Sequence, residues 1–126
     1  MSEGNPSLFE RLGGHAGVAR AVERFYARLT ADPLTAPFFE GIDMERQRAK
    51  QVGFLTMVFG GPTPYTGRSL GASHARLVEA GLGDAHVDAI SRHLFDTLAE
   101  QGIPDLERTE AIAIAESMRD HVLGRG

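Results

Sequence analysis

The sequence contains no cysteine. The chain therefore cannot form disulfides, thiolate zinc sites, iron–sulfur clusters or a thiol nucleophile. It also lacks an apolar run near the ~18 residues that a membrane span requires, and it shows no basic-then-apolar pattern of a secretory signal. These absences predict a soluble protein in a reducing, cytoplasmic compartment.

Positive charge is scarce as well. Thirteen Lys and Arg residues face 17 Asp and Glu residues, for a net charge of −4, so a nucleic-acid partner is not expected. The proportions of hydrophobic and charged residues, 42% and 24%, are typical of a globular protein. A length of 126 residues fits one domain. We predict a flexible tail over residues 1–6 and a single domain over 7–126.

Glycine and proline divide the chain into segments of helical periodicity, and no segment alternates as a β-strand does. The pattern predicts an all-α protein. Asp43 and Asp84 are candidate N-caps, and Pro104 suits the first turn of a last helix that continues to Val122. The predicted helices cover about 15–31, 43–59, 69–80, 84–98 and 104–122, with a short turn around Phe38 and Phe39 after the first.

The helix predicted over 43–59 carries two glutamines on an otherwise apolar stripe. Gln47 and Gln51 are one turn apart, and the stripe continues through Leu55 and Val58. A buried amide without a partner costs ~1–3 kcal/mol, so these side chains need hydrogen bonds if they face the core. The alternative is a stripe at the edge of the core, where both amides reach water.

Two further polar side chains adjoin apolar stripes. Tyr26 follows Phe25 at the margin of the first helix's apolar face, so its ring can lie in the core and its hydroxyl in a cavity. His74 aligns with Leu70 and Leu77, where a histidine is more often a satisfied core residue than a ligand. Together with the glutamines, they are typical of an apolar slot with a few convergent polar groups, which suits a flat cofactor.

The remaining histidines do not predict a bare metal centre. No HxxxH or HExxH spacing occurs among them. His86 and His93, seven residues apart, are interpreted as surface or local capping groups.

Several short motifs together resemble those of one family. They are LGG at Leu12–Gly14, the pairs Phe25-Tyr26 and Phe38-Phe39, QRAKQ at Gln47–Gln51, FGGP at Phe59–Pro62, YTGR at Tyr65–Arg68, and the histidine at His74. With these motifs, the sequence resembles the group I truncated haemoglobins over about residues 7–123. That family folds as a two-over-two helical sandwich and binds haem.

The resemblance implies a haem b with His74 as the proximal iron ligand. It matches Tyr26, Gln47 and Gln51 to the distal polar groups that stabilise a diatomic ligand. Lys50 matches either a sixth iron ligand or a propionate partner. The other cofactor-binding positions that it implies are Phe25, Phe38, Phe39, Phe54, Leu55, Arg68, Leu70, Leu77, Val87, Ile90 and Leu94.

Besides Lys50, the sequence departs from the family pattern at two positions. Some relatives attach haem covalently through a histidine of the last helix, but Ser117 occupies that position here and His121 falls elsewhere. We therefore expect non-covalent haem. Many relatives carry phenylalanine where this chain has Val87, after His86, so packing at that position is expected to differ.

The function implied by the resemblance is reversible binding of dioxygen, nitric oxide or carbon monoxide, as in oxygen transport. Oxidation of nitric oxide to nitrate is a second activity that the resemblance allows. It would need a separate reductase, because the sequence shows no flavin or nicotinamide module. The alternatives are a non-catalytic sensor or carrier of diatomic ligands, and a helical interaction domain without a cofactor. A monomer or weak dimer is expected.

Overall fold

The structure is a computed structural model that describes residues 7–61 and 78–123, and every regular element in these ranges is helical. The predicted tail over 1–6 and most of the helix predicted over 69–80 lie outside these residues. The described elements, in chain order, are α1 (Leu8–Arg11), α2 (Gly14–Ala31), a 3-10 helix (Ala36–Phe39), α3 (Met44–Val58), α4 (Asp84–Glu100), α5 (Asp105–Glu116) and α6 (Arg119–Val122).

Helix α2 forms the centre of the described fold. Its apolar face buries Val18, Val22, Phe25 and Leu29, which recur at the helical spacing that predicted it. The helix begins where Gly13 takes a positive φ of 103°, a conformation that disfavours other residues. The prediction of a helix over about 15–31 is confirmed to within one residue.

Helix α3 begins at the predicted cap. The Asp43 Oδ1 atom accepts hydrogen bonds from the backbone N–H groups of Glu45 and Arg46, at 3.1 and 3.3 Å. Two of the otherwise unsatisfied amides of the first turn are thereby paired. The helix ends before Phe59, whose backbone carbonyl accepts a bond from the Phe9 N–H at 2.9 Å and so joins α3 to α1.

Two predicted helix boundaries are wrong. The N-cap of α4 is Gly83, and Asp84 is the first helical residue. The predicted last helix is interrupted after Glu116, and α6 follows a short turn. At this break the Ser117 hydroxyl donates to the Ile114 carbonyl, so a local side-chain bond competes with the helical pattern.

The core lies where α2 meets α3 and α4. Helix α5 packs against α4 and contributes Ala111 to the core, and α1 and the 3-10 helix pack against α2. A cavity of about 10 Å³ remains between α2, α3 and α4, and its apolar lining includes Leu55 and Leu94. Across residues 7–61 and 78–123, no helix is long and apolar enough to cross a membrane.

Candidate functional site

The candidate site is a hydrogen-bonded cluster of three side chains between α2 and α3. Tyr26 is only 4% exposed. Its hydroxyl accepts a hydrogen bond from Gln47 Nε2 at 3.2 Å and donates one to Gln51 Oε1 at 3.3 Å. Both glutamines are half-buried. The structure thus brings together three residues that the sequence singled out separately, and the amides find a protein partner rather than water alone.

Aromatic rings fix the position of the phenol. The Tyr26 ring contacts Phe25 at a centroid distance of 5.6 Å and meets Phe39 edge-on at 5.3 Å. The 3-10 helix that carries Phe39 is anchored by Thr35, which is fully buried and donates its hydroxyl to the Leu29 carbonyl at 2.7 Å. This anchor was not predicted, although a threonine between Leu34 and the Ala36-Pro37 pair was a signal for a local side-chain bond.

Burial raises the pKa of Tyr26 to about 12, although the hydrogen bond from Gln47 partly opposes the shift. Removing the phenol from water disfavours its charged form. At neutral pH the hydroxyl is therefore protonated and can donate. All three side chains of the cluster are then uncharged.

The amide groups keep unused hydrogen-bonding capacity. Within the described part of the chain, Gln51 Nε2 has no hydrogen-bond partner, and the Gln51 side chain is engaged only through its oxygen. A cluster with one free N–H donor and one rotatable O–H donor, enclosed by aromatic rings, is suited to an apolar guest that carries partial negative charge.

The described residues that the resemblance assigned to a cofactor pocket occupy two kinds of position. Phe25, Leu55 and Leu94 belong to the core itself. The others are partly buried: Phe38, Phe39, Phe54, Val87 and Ile90. Lys50 is exposed on α3. His74, Arg68, Leu70 and Leu77 lie outside the described residues.

The two histidines of α4 have different roles. His86 Nδ1 accepts a hydrogen bond from the Gly83 N–H at 3.0 Å, which confirms the local capping interpretation. Its ring also meets Phe38 edge-on, at a centroid distance of 4.9 Å, and this contact was not predicted.

For His93, the interpretation as a surface or capping group is wrong. His93 Nε2 lies 2.7 Å from an Asp32 carboxylate oxygen, and only 21% of the His93 side chain is exposed. The pair joins α4 to the end of α2. It lowers the pKa of Asp32, chiefly through the hydrogen bond from His93.

The described residues contain no cluster of three or more His, Asp or Glu side chains that could hold a metal ion. The enclosed phenol–amide cluster offers neutral hydrogen-bond donors among apolar side chains, and this donor set fits a planar cofactor that binds a small ligand. Two aromatic rings against the phenol and a neutral donor cluster are compatible with the polar side of a haem pocket.

Comparison with known proteins agrees with this fit. A sequence model of the family described as bacterial-like globin matches residues 7–124. The group 1 truncated hemoglobin GlbN of a Synechocystis species is 43% identical over 110 residues, which cover 86% of this chain and 89% of that protein. The chain therefore belongs to the bacterial-like globins and, within them, to the group 1 truncated hemoglobins.

Solved structures show the same fold. A 2/2 hemoglobin from a Synechococcus species, in the cyanomet state and with covalently attached heme, superposes with a TM-score of 0.89 at 42% identity, covering 95% of this chain and 100% of that one. The truncated hemoglobin of Tetrahymena pyriformis in its Fe(III) form gives 0.86 at 36% identity, covering 94% and 98%. The predicted all-α, two-over-two fold is confirmed, and family membership implies haem-based ligand binding.

Proposed function

We propose that this protein reversibly binds dioxygen, and also nitric oxide and carbon monoxide, at a non-covalently bound haem b with His74 as the proximal iron ligand. The observation that carries the proposal is the buried cluster of Tyr26, Gln47 and Gln51. When bound, haem would supply a ferrous iron that coordinates the diatomic ligand and transfers electron density to it.

The cluster's contribution is hydrogen-bond donation. Rotation about the C–O bond of Tyr26 redirects its proton from Gln51 toward a ligand, while Gln47 Nε2 continues to donate to the phenol oxygen. Donation from Gln47 increases the acidity of the hydroxyl and so strengthens its outgoing bond. The unused Gln51 N–H offers a second donor. Donors preorganised in this way favour dioxygen, which becomes partly negative, over carbon monoxide, which does so less.

The surrounding apolar side chains make these bonds effective. Phe25 and Leu55 are nearly inaccessible to solvent, and Phe39 closes one edge of the phenol ring. The Tyr26 hydroxyl group belongs to a side chain that is only 4% exposed, so its hydrogen bonds act in a low-dielectric environment.

Lys50 and Arg68 would hold the cofactor's propionates, since Lys50 is exposed on the helix that carries both glutamines. Lys50 is also a candidate sixth ligand. That role requires loss of its proton, so its occupancy would rise with pH. A ferric spectrum that remains high-spin into the alkaline range would assign Lys50 to the propionates instead.

Non-covalent attachment rests on Ser117, which offers no ring nitrogen and lies at the break between α5 and α6. Because one similar protein has covalently attached heme, this point needs its own test. Extraction with acidified acetone should remove all haem from the protein. Retained absorbance in the protein fraction would show a covalent bond.

We propose in addition that dioxygen and nitric oxide are converted to nitrate with the uptake of one electron from a separate cytoplasmic reductase. A carrier or sensor would use the same cluster but would show no sustained turnover. Nitrate production measured with and without a reductase and its nicotinamide substrate separates the two.

The main experiment replaces Tyr26 by Phe and compares the dissociation rates of dioxygen and carbon monoxide. One hydrogen bond to a partly charged ligand is worth ~1.5–3 kcal/mol. We therefore expect dioxygen dissociation to accelerate about ten- to hundredfold, whereas carbon monoxide dissociation changes less than about threefold. Equal changes for both ligands, or none, would show that Tyr26 does not donate a hydrogen bond to bound dioxygen.

His74→Ala should abolish stoichiometric haem binding.

A further inference from the structure

Basic residues are strongly segregated in this acidic chain. Residues 46–78 contain five Lys or Arg side chains and no Asp or Glu, whereas the rest of the chain contains eight basic and 17 acidic residues. The segment begins on α3 with Arg46, Arg48 and Lys50, which alternate with the two glutamines of the candidate site. A net charge of −4 therefore conceals one cationic region.

The three α3 cations are unpaired, unlike most arginines that the structure describes. Arg46, Arg48 and Lys50 form no ion pair with any residue in the ranges 7–61 and 78–123. By contrast, Arg119 alone contacts three carboxylates. Arg46 and Lys50 are exposed, and Arg48 is half-exposed.

Two features of these cations are locally unfavourable for α3, whose first turn also carries Glu45 and the Asp43 cap. Arg46 lies in the first turn, where the helix dipole favours negative charge. Arg46 and Lys50 are four residues apart, a spacing at which like charges repel across one turn. Within the described residues these cations form no ion pair, so the charges of Arg46 and Arg48 can act on an external partner.

The position of these charges identifies the kind of partner. Arg46 and Lys50 lie on one flank of the glutamine pair, and Arg48 lies on the other. An anionic surface that docks here comes to rest at the side of the molecule that carries the ligand cluster. Fixed cations on an acidic protein steer such a partner and set its orientation, because the remaining surface repels it.

We propose that Arg46 and Arg48, on the two flanks of α3, dock an electron-donor protein through an acidic surface on that donor, while Lys50 holds the cofactor. The proposal rests on the proposed function, which requires an external source of electrons. It predicts association that weakens steeply as salt is added.

The test uses flavodoxin, an acidic flavoprotein, as the probe. Binding of oxidised flavodoxin to the haem-loaded ferric protein is measured by calorimetry, and reduction by its hydroquinone form by stopped flow. Arg46→Glu combined with Arg48→Glu is the test variant. Arg20→Glu combined with Arg92→Glu is the matched control, because both residues are exposed, lie on other helices and form no described ion pair.

Both variants change the net charge equally. At low ionic strength we expect the α3 variant to lose at least about tenfold in affinity and reduction rate, and the control less than about threefold. At high salt the difference should vanish. Equal losses in the two variants, or no loss in either, would overturn the proposal.

Two further measurements keep the outcomes separate. Faster haem loss in the α3 variant, with flavodoxin binding unchanged, would mean that these cations hold propionates, and the docking proposal would be wrong. Dioxygen dissociation should be the same in both variants. If the wild-type protein bound flavodoxin but no dioxygen, the proposed function would fail while the docking surface remained.

Discussion

Two polar networks in this molecule differ in almost every physical respect. The cluster of Tyr26, Gln47 and Gln51 is neutral, enclosed by aromatic rings, and held by two hydrogen bonds of 3.2 and 3.3 Å. The network around Arg119 is ionic. It joins α4, α5 and α6 through three carboxylates, with N–O distances between 2.6 and 3.0 Å.

Under the proposed function, the difference separates ligand binding from stability. The neutral cluster has long bonds and an unused N–H donor, so it can exchange partners when a ligand arrives. In the ionic network Arg119 already has three carboxylate partners, and these raise the pKa of its guanidinium above the ordinary value. A network that is fully paired can hold helices together, but it has little capacity left to bind a guest.

Among the variants that separate the two networks, the largest effect should follow from removing both amides. Gln47→Leu combined with Gln51→Leu deletes the donors beside the phenol, and two neutral hydrogen bonds are together worth about 1–3 kcal/mol. We expect dioxygen dissociation to accelerate roughly five- to hundredfold, measured by flash photolysis, while the melting temperature falls little. Unchanged dissociation would show that the amides do not act on the ligand.

Removing Arg119 should give the opposite pattern. Arg119→Met leaves three carboxylates facing one another, which should lower the free energy of unfolding by about 1–2 kcal/mol. The melting temperature then falls by roughly 3–10 °C, and dioxygen dissociation stays at the wild-type rate. Arg20→Met, at an exposed position without a described ion pair, is the control.

Salt sharpens that contrast. In 1 M sodium chloride the gap between Arg119→Met and wild type should shrink, because exposed charges are screened over a few ångströms. The effect of the double glutamine variant should not change with salt. If the dioxygen dissociation rate of the wild-type protein depended on salt, charged groups would be acting on the ligand, and the distinction between the two networks would be wrong.

The smallest effect is expected at the pair of His93 and Asp32. The pKa of Asp32 lies below its ordinary 3.8, so the pair stabilises the fold above that pH, and the stabilisation is lost as the pH falls through the lowered pKa. Asp32→Asn should reduce the melting temperature at pH 7, and the difference from wild type should shrink as the pH falls below 3.8. Asp96→Asn, at an exposed position on α4, the helix that carries His93, should leave the melting temperature unchanged at either pH.

Features that depend on residues close together in the sequence were predicted more fully than features that depend on residues far apart. The spacing of apolar residues located α2, and the Asp43 cap located the start of α3. Both signals come from residues that are close together in the sequence. The boundary at Gly83 was missed because the cap is formed by the ring of His86, not by Asp84. The break after Glu116 coincides with a hydrogen bond from the Ser117 hydroxyl to the Ile114 carbonyl, which apolar spacing does not reveal.

Long-range contacts were beyond the reach of the sequence patterns. Asp32 and His93 are 61 residues apart, and no periodicity relates them. The members of the polar cluster were visible in the sequence, because the two glutamines interrupt an apolar stripe and Tyr26 lies at the margin of another. Their mutual hydrogen bonds required the packing of α2 against α3, which only the structure shows.

The central claim is that this chain is a haem protein whose distal side is the phenol–amide cluster. Its most direct test is the absorption spectrum of the purified protein after titration with haemin, recorded in the ferric, reduced and carbonmonoxy forms. We predict a Soret band that saturates at one haem per chain, shifts on reduction and again with carbon monoxide, and is lost or altered in His74→Ala. A spectrum of free haemin, from a protein that circular dichroism shows to be folded, would contradict the account.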